Sequence, residues 1–145
     1  MTLKAILKNK PPGFISVPPE ARISDVIGVL AEKRIGAVLV VDAQGELVGI
    51  LSERDIVRCL STHALETLNL KATDLMTPRP TTATPSTSVA QAMEIMTDGH
   101  FRHLPILEGG KLTGLVSIGD VVKARIEQSE HEVDSLRTYV AGGVG

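Results

Sequence analysis

Aromatic side chains are almost missing from this sequence. Its 145 residues include one Tyr, two Phe and no Trp. Proteins that hold single-stranded nucleic acid stack bases on aromatic rings, and here there are too few rings to do it. Basic runs are absent as well, and the formal net charge is −2. Duplex binding depends on neutralising phosphates with Lys and Arg, so no nucleic-acid partner is expected. A single cysteine, Cys59, excludes an internal disulfide and a cysteine-rich zinc site. No apolar stretch approaches the roughly 20 residues that a bilayer span requires, so no membrane partner is expected. The opening MTLKAILKNKPPG has neither a long apolar core nor a small-residue cleavage site. A signal peptide is therefore not expected, and the expected location is the cytoplasm. Phosphate-binding Walker loops, a nucleophile elbow and dense carboxylate clusters are also missing, which argues against an enzyme.

What is present is an internal repeat, the pattern to seek first in any sequence. Residues 15–60 align with residues 81–125. At an offset of 66, Pro19 meets Pro85, Ile23 meets Val89 and Val41 meets Leu107. One residue then drops out, and at an offset of 65 Gly45 meets Gly110, Gly49 meets Gly114, Ser52 meets Ser117 and Asp55 meets Asp120.

The apolar spacing within each copy carries structure. Ile23, Val26, Ile27 and Leu30 fall at i, i+3, i+4, i+7, as do Val89, Ala92, Met93 and Met96. That spacing lays one apolar stripe along a helix. Short apolar runs follow, Ile35–Val41 and Phe101–Leu107, then turn residues Asp42-Ala43-Gln44-Gly45 and Glu108-Gly109-Gly110, then Leu47–Leu51 and Leu112–Val116. Each pair of runs reads as a β-hairpin. Ser52 and Ser117 are natural N-caps for a closing helix. The fold class is α/β (α+β), two tandem repeats of β-α-β-β-α. Neither repeat can bury a good core alone, so the two sheets are expected to pack on each other.

The expected organisation is a first repeat with its lead-in helix and strand over residues 1–70, a linker and second repeat over 71–128, and a helical tail over 129–145. Leu3–Lys10 reads as a short helix, ended by Pro11-Pro12-Gly13. In the tail, Ile126, Val133, Leu136 and Val140 lie roughly along one face, to be covered by the same chain or by a second subunit. The final Gly142-Gly143-Val144-Gly145 is expected to fray.

Gly49-Ile50-Leu51-Ser52-Glu53-Arg54-Asp55 and Gly114-Leu115-Val116-Ser117-Ile118-Gly119-Asp120 each follow a hairpin and open a helix. These segments resemble the signature of the CBS (cystathionine-β-synthase) domain. Thr73-Asp74-Leu75-Met76-Thr77 resembles the lead-in to a CBS repeat, and Arg102-His103-Leu104-Pro105-Ile106 a strand found in many second repeats. The resemblance spans about residues 3–126. It implies a Bateman module, a disc of two repeats about a pseudo-two-fold axis with two clefts between them. In that family the clefts of many members hold AMP, ADP, ATP, NAD or S-adenosylmethionine, no cofactor is required, and the modules commonly form homodimers. The implied role is an energy or redox sensor that acts on a regulated protein partner. The alternative is a structural dimerisation module with empty clefts.

Carried over by position, the resemblance makes Asp55 and Asp120 the ribose-holding residues and Ser52 and Ser117 the phosphate-side hydroxyls. Arg54, Arg102 and His103 become the phosphate cations, and Ser16, Val17, Thr82 and Ala83 frame the base. Gly36 and Ala37 stand where the second copy has Arg102 and His103, with Arg34 as a compensating cation. The two clefts are therefore expected to be unequal, the one served by Arg102 and His103 being the better anion site.

Simpler roles compete for the same residues. Ser-x-x-Asp is also a capping box that needs no ligand. Strand alternation places Arg102 and His103 on opposite faces, so that only one faces a cleft. His100 and His103 lack the further ligands of a metal site. Met93 and Met96 read as core, Cys59 as a packed residue on its helix, and His63 and His131 as surface.

Overall fold

The computed structural model describes residues 1–144, and side chains through Thr138 together with Val140. Helix α1 (Leu3–Lys8) precedes the first repeat, which contains β1 (Ser16–Val17), α2 (Ile23–Lys33), β2 (Ala37–Val41), β3 (Leu47–Ser52) and α3 (Glu53–His63). A 3-10 helix (Ala64–Asn69), α4 (Ala72–Leu75) and β4 (Thr77–Pro78) form the connection. The second repeat contains α5 (Val89–Gly99), β5 (His103–Glu108), β6 (Lys111–Ser117) and α6 (Ile118–Val144). The helix assignment thus runs on through Val144. Gly145, the last residue of the tail expected to fray, lies outside the described residues.

Local chemistry sets most of these elements. Helices α2 and α5 bury the expected stripes, Ile23, Val26 and Leu30 in one and Val89, Ala92 and Met96 in the other. Ser88 caps α5 in a capping box with Gln91. Both helices stop at a left-handed residue, Arg34 (φ 55°) and His100 (φ 56°). In the first hairpin turn, Asp42 Oδ1 accepts from the backbone N–H of Gln44 and of Glu46, and Gly45 takes a φ of 83°. The second turn uses Gly109 and Gly110, both at positive φ, the conformation a tight two-residue hairpin loop demands. Both hairpins shift register at the same place in the repeat, between Val40 and Val41 and between Ile106 and Leu107.

The copies differ at their leading strands. Strand β1 pairs parallel with β2 in a four-stranded sheet of order β1-β2-β3-β4. In the second copy the leading strand shrinks to a single parallel bridge, Ala83 to Ile106. The pair that would match Ser16 and Leu39, Thr82 against Pro105, is lost because Pro105 has no N–H to donate, whereas Leu39 N–H bonds Ile15 O. The equal β-α-β-β-α pattern expected of both copies therefore holds in full only for the first.

The two apolar cores do not divide at the linker. The segment before each repeat packs into the other one. Leu3 and Ile6 of α1 lie in the core of the second repeat with Val89, Met96, Leu104 and Ile106. Backbone bonds fix them there, Leu3 N–H to Thr87 O and Val89 N–H to Met1 O. Reciprocally, Ala72 of α4 lies in the core of the first repeat with Val26, Val38 and Leu51. Two glycines make these crossings possible. A Cβ at Gly49 would collide with Met76, and one at Gly114 would press on Leu7 Cδ2 at 3.0 Å. Strand β2 is also closed on both faces. Val38 and Val40 face the helices, and Ala37 and Leu39 are buried on the opposite side. The halves meet around Gly36, whose Cβ position is 3.4 Å from Glu53 Oε1 and 3.6 Å from His103 Nε2.

Candidate functional site

Both Ser-x-x-Asp motifs sit where a strand of a hairpin runs directly into a helix. Ser52 ends β3 and caps α3, its Oγ accepting from Asp55 N–H at 3.4 Å, while Asp55 Oδ2 accepts from Ser52 N–H at 2.8 Å. Ser117 and Asp120 make the same pair of bonds at the start of α6, at 3.1 and 2.9 Å. The capping role is therefore present in both copies. Only Oδ2 of each carboxylate is used in it, so it does not compete with a ligand at Oδ1.

The surroundings of the two aspartates differ. Asp55 lines a cavity of about 340 Å³, together with Ser52, Glu53 and Arg54. The linker adds Thr77, Arg79, Pro80 and Thr81, and the second repeat adds Gly99 to His103. Four arginines, Arg54, Arg58, Arg79 and Arg102, border this space against two carboxylates. Among the described residues the only side-chain ion pair is Lys10–Asp120, so none of the four guanidiniums is neutralised by contact. The cavity thus joins the Ser-x-x-Asp of the first repeat to the Arg-His of the second.

Asp120 faces an internal cation instead. Lys10 Nζ donates to Asp120 Oδ2 at 2.6 Å and to Leu115 O at 2.9 Å. Burial alone would push the Asp120 carboxyl up, but the bonds from Lys10 and Ser117 and the Lys10 charge hold it below its ordinary value. Lys10 and Arg79 hold matching places, each followed by proline and each just beyond the short helix that precedes a repeat. One serves the cavity of Asp55, the other occupies Asp120. Lys10→Ala is expected to cost no more than about 1 kcal/mol, because the pair is only partly buried. Urea denaturation of the variant checks this. The stabilisation is present above the ordinary carboxylate value and is lost as pH falls through the lowered folded value.

Arg102 and His103 both line the Asp55 cavity, against the expectation of opposite faces. Alternation fails because β5 begins at His103, leaving Arg102 outside the pleat. Burial lowers the His103 pKa, and Lys10 and Arg102 add to the effect while Glu53 and Asp120 oppose it. In the ligand-free chain burial thus disfavours the charged imidazole, a shift that an anion in the cavity would oppose. The sign for stability follows. Below about pH 6.5 the unfolded chain takes up this proton before the folded chain does, so stability falls with pH until the folded value is passed. His103→Gln is expected to lose less stability than the parent between about pH 7 and 5.5. Equal losses of unfolding free energy for parent and variant between the two pH values, read from urea titrations, would remove His103 from this role.

The residues expected to frame the base are dispersed in the structure. Val17 and Ala83 are buried in the two cores. Ala83 also spends both backbone groups on β5, its N–H on Pro105 O and its C=O on Leu107 N–H. Thr82 lines a different cavity of about 440 Å³ between the hairpin turns. Ser16 is exposed on β1, and exposed Arg34 caps α2; neither lines either cavity. The chain beside Asp55 is instead Arg79, Pro80 and Thr81. Sequence reading missed Arg58, Arg79 and Lys10. For the last two a signal existed, a basic residue before proline at both lead-ins.

The fold and this cleft define a class, a pseudo-symmetric pair of repeats with a ligand-sized, cation-rich space between them. The CBS domain family matches residues 5–62 and 72–127, and the chain belongs to that family. It is 35% identical over 125 residues to the mitochondrial CBS domain-containing protein CBSX3 of Arabidopsis thaliana, covering 83% of this chain and 61% of that protein. The chain therefore spans about three-fifths of that relative. A CBS-domain containing protein from Agrobacterium tumefaciens superimposes with a TM-score of 0.84 at 39% identity, covering 86% of this chain and 99% of that one. A CBS domain protein from Pyrobaculum aerophilum, solved in complex with AMP, matches with a TM-score of 0.74 at 28% identity over 83% of this chain and 89% of that one. No helix among the described residues is long and apolar enough to cross a membrane.

Proposed function

We propose that this chain is a non-catalytic sensor that binds one adenine nucleotide in the cleft of Asp55. The carrying observation is the group of four arginines with no ion-pair partner around a cavity that also holds a carboxylate. Guanidinium forks suit phosphate oxygens, and Asp55 Oδ1 can accept from a ribose hydroxyl. The first turn of α3 adds a helix N-terminus facing the same space. The AMP complex of the Pyrobaculum aerophilum relative supports the ligand class. At about 340 Å³ the cavity falls within the range of small-ligand pockets. S-adenosylmethionine carries a sulfonium cation and no phosphate, and the arginines disfavour it. Binding would act by favouring one of two conformations, through different affinity for each.

A dimerisation module with empty clefts is the second reading. It draws on apolar side chains left exposed on α3 and α6, Val57, Leu60, Val122 and Ile126. Thermal melting with AMP, ADP, ATP, NAD and S-adenosylmethionine separates the two. A phosphate-bearing ligand at about 100 times its Kd is expected to stabilise the fold by about 2.7 kcal/mol. Arg102→Ala is expected to weaken that ligand by roughly 10-fold or more. If none of the five moves the melting temperature, the sensor reading fails.

A further inference from the structure

We infer that the C-terminal part of α6 forms a parallel two-stranded coiled coil with a second copy of this chain. Helix α6 is 27 residues long, and the CBS repeat accounts for it only to residue 127. Val121 and Ala124 are its last residues in the core of the second repeat. From Arg125 to Thr138 every position is exposed except Gln128, which is half-buried. A lone helix in water is marginal without a packed face. Yet this stretch carries large apolar side chains in the open, with Val133 48%, Leu136 63% and Val140 55% exposed.

Their spacing is a heptad. Ile126, Val133 and Val140 recur every seven residues and fill the a positions, and Val122, Ser129 and Leu136 fill the d positions. Five of these six are apolar. Each of the five is among the exposed large hydrophobics of the chain. β-Branched residues at a with Leu at d favour two parallel strands.

The flanking charges select the direction. In a parallel pair, a residue at g faces the e residue five positions later on the partner. Arg125 then faces the partner's Glu130, and Glu132 faces the partner's Arg137. Both contacts join opposite charges. An antiparallel pair with the same apolar overlap sets Glu130 against the partner's Glu130, Glu132 against the partner's Glu132, and Lys123 against the partner's Arg137. All three join like charges. Among the described residues, none of these side chains has an ion-pair partner within its own chain.

The test uses the full chain with Cys59→Ser as background and one cysteine added. Leu136→Cys places the thiol at d, where parallel strands bring it to its own copy within disulfide reach. Ser135→Cys, one residue away and outside the seam, is the control. In a glutathione redox buffer, Leu136→Cys is expected to give at least ~10-fold more disulfide-linked dimer than Ser135→Cys. In the antiparallel arrangement the thiol introduced by Leu136→Cys lies about 15 Å along the axis from its copy and does not cross-link. Equal or absent cross-linking at the two positions overturns the proposal, whether the tail pairs antiparallel, folds back or stands alone. A charge exchange gives a second reading of direction in sedimentation equilibrium. Glu132→Arg and Arg137→Glu are each expected to weaken self-association, and together to restore it. Stronger association from Arg137→Glu alone would favour the antiparallel pairing with Lys123 and overturn the parallel one.

Discussion

Asp55→Ala is expected to weaken AMP binding by about 10- to 100-fold, and Asp120→Ala by less than about 3-fold. The two aspartates occupy the same position of the repeat and make the same capping bonds, so each variant loses a similar cap, worth about 1 kcal/mol. Comparing the two variants cancels that shared cost and leaves the difference between the clefts. Asp55 keeps one carboxylate oxygen toward a cavity bordered by arginines, so its loss removes a charge-assisted bond to a ribose hydroxyl. Asp120 already holds Lys10 at 2.6 Å. A ligand there would meet a carboxylate whose charge Lys10 already offsets, so the remaining oxygen of Asp120 adds less to binding. Isothermal titration of the two variants and the parent at one pH and salt concentration checks the order. Equal losses would mean that both clefts are used. A larger loss at Asp120 would reverse the assignment.

That the two copies differ around their aspartates could be read from the sequence in outline, because Gly36-Ala37 against Arg102-His103 is a visible substitution in the repeat. The residue that makes the inequality was not visible in the same way. Lys10 is 110 positions from Asp120, and nothing local to either predicts their meeting. The elements that could be read correctly were those set by nearby residues. The helical stripes, the hairpin turns at Asp42 and at Gly109-Gly110, and the Ser52 cap all depend on contacts a few positions apart. Errors arose where tertiary context overrode a local rule. Arg102 and His103 escaped strand alternation because the strand starts between them. Ala83 spends its N–H and one carbonyl bond on β5, a pairing that periodicity did not foretell. Arg79 lines the Asp55 cavity because the linker returns along β3 through β4, an antiparallel pairing that periodicity could not foresee.

The exchange of lead-in helices makes the most severe stability prediction. Leu3 stands near the start of the chain, where a hydrophobic residue before a proline-glycine turn would ordinarily be expendable. Here it is fully buried, 86 positions from its core neighbour Val89, and its N–H is spent on Thr87 O. Leu3→Ala is therefore expected to cost about 3 kcal/mol, in the range for a buried leucine whose surroundings relax only in part. That corresponds to a fall in Tm of roughly 10 °C for a chain of this size. The cost should appear as destabilisation of the second repeat, because α1 shares that core and not the first. Hydrogen exchange resolved by residue distinguishes the two, with protection lost first in β5 and β6. If α1 were only a lead-in to the first repeat, the variant would lose less than about 1 kcal/mol. Exchange would then rise in α1 alone. Loss of protection centred on β2 and β3 would instead place α1 against the first repeat and undo the reciprocal packing. Lys10 lies two residues beyond this helix, so the same packing that buries Leu3 carries the lysine to Asp120. Loosening α1 is thus expected to free that carboxylate as well, and to make the second cleft more like the first.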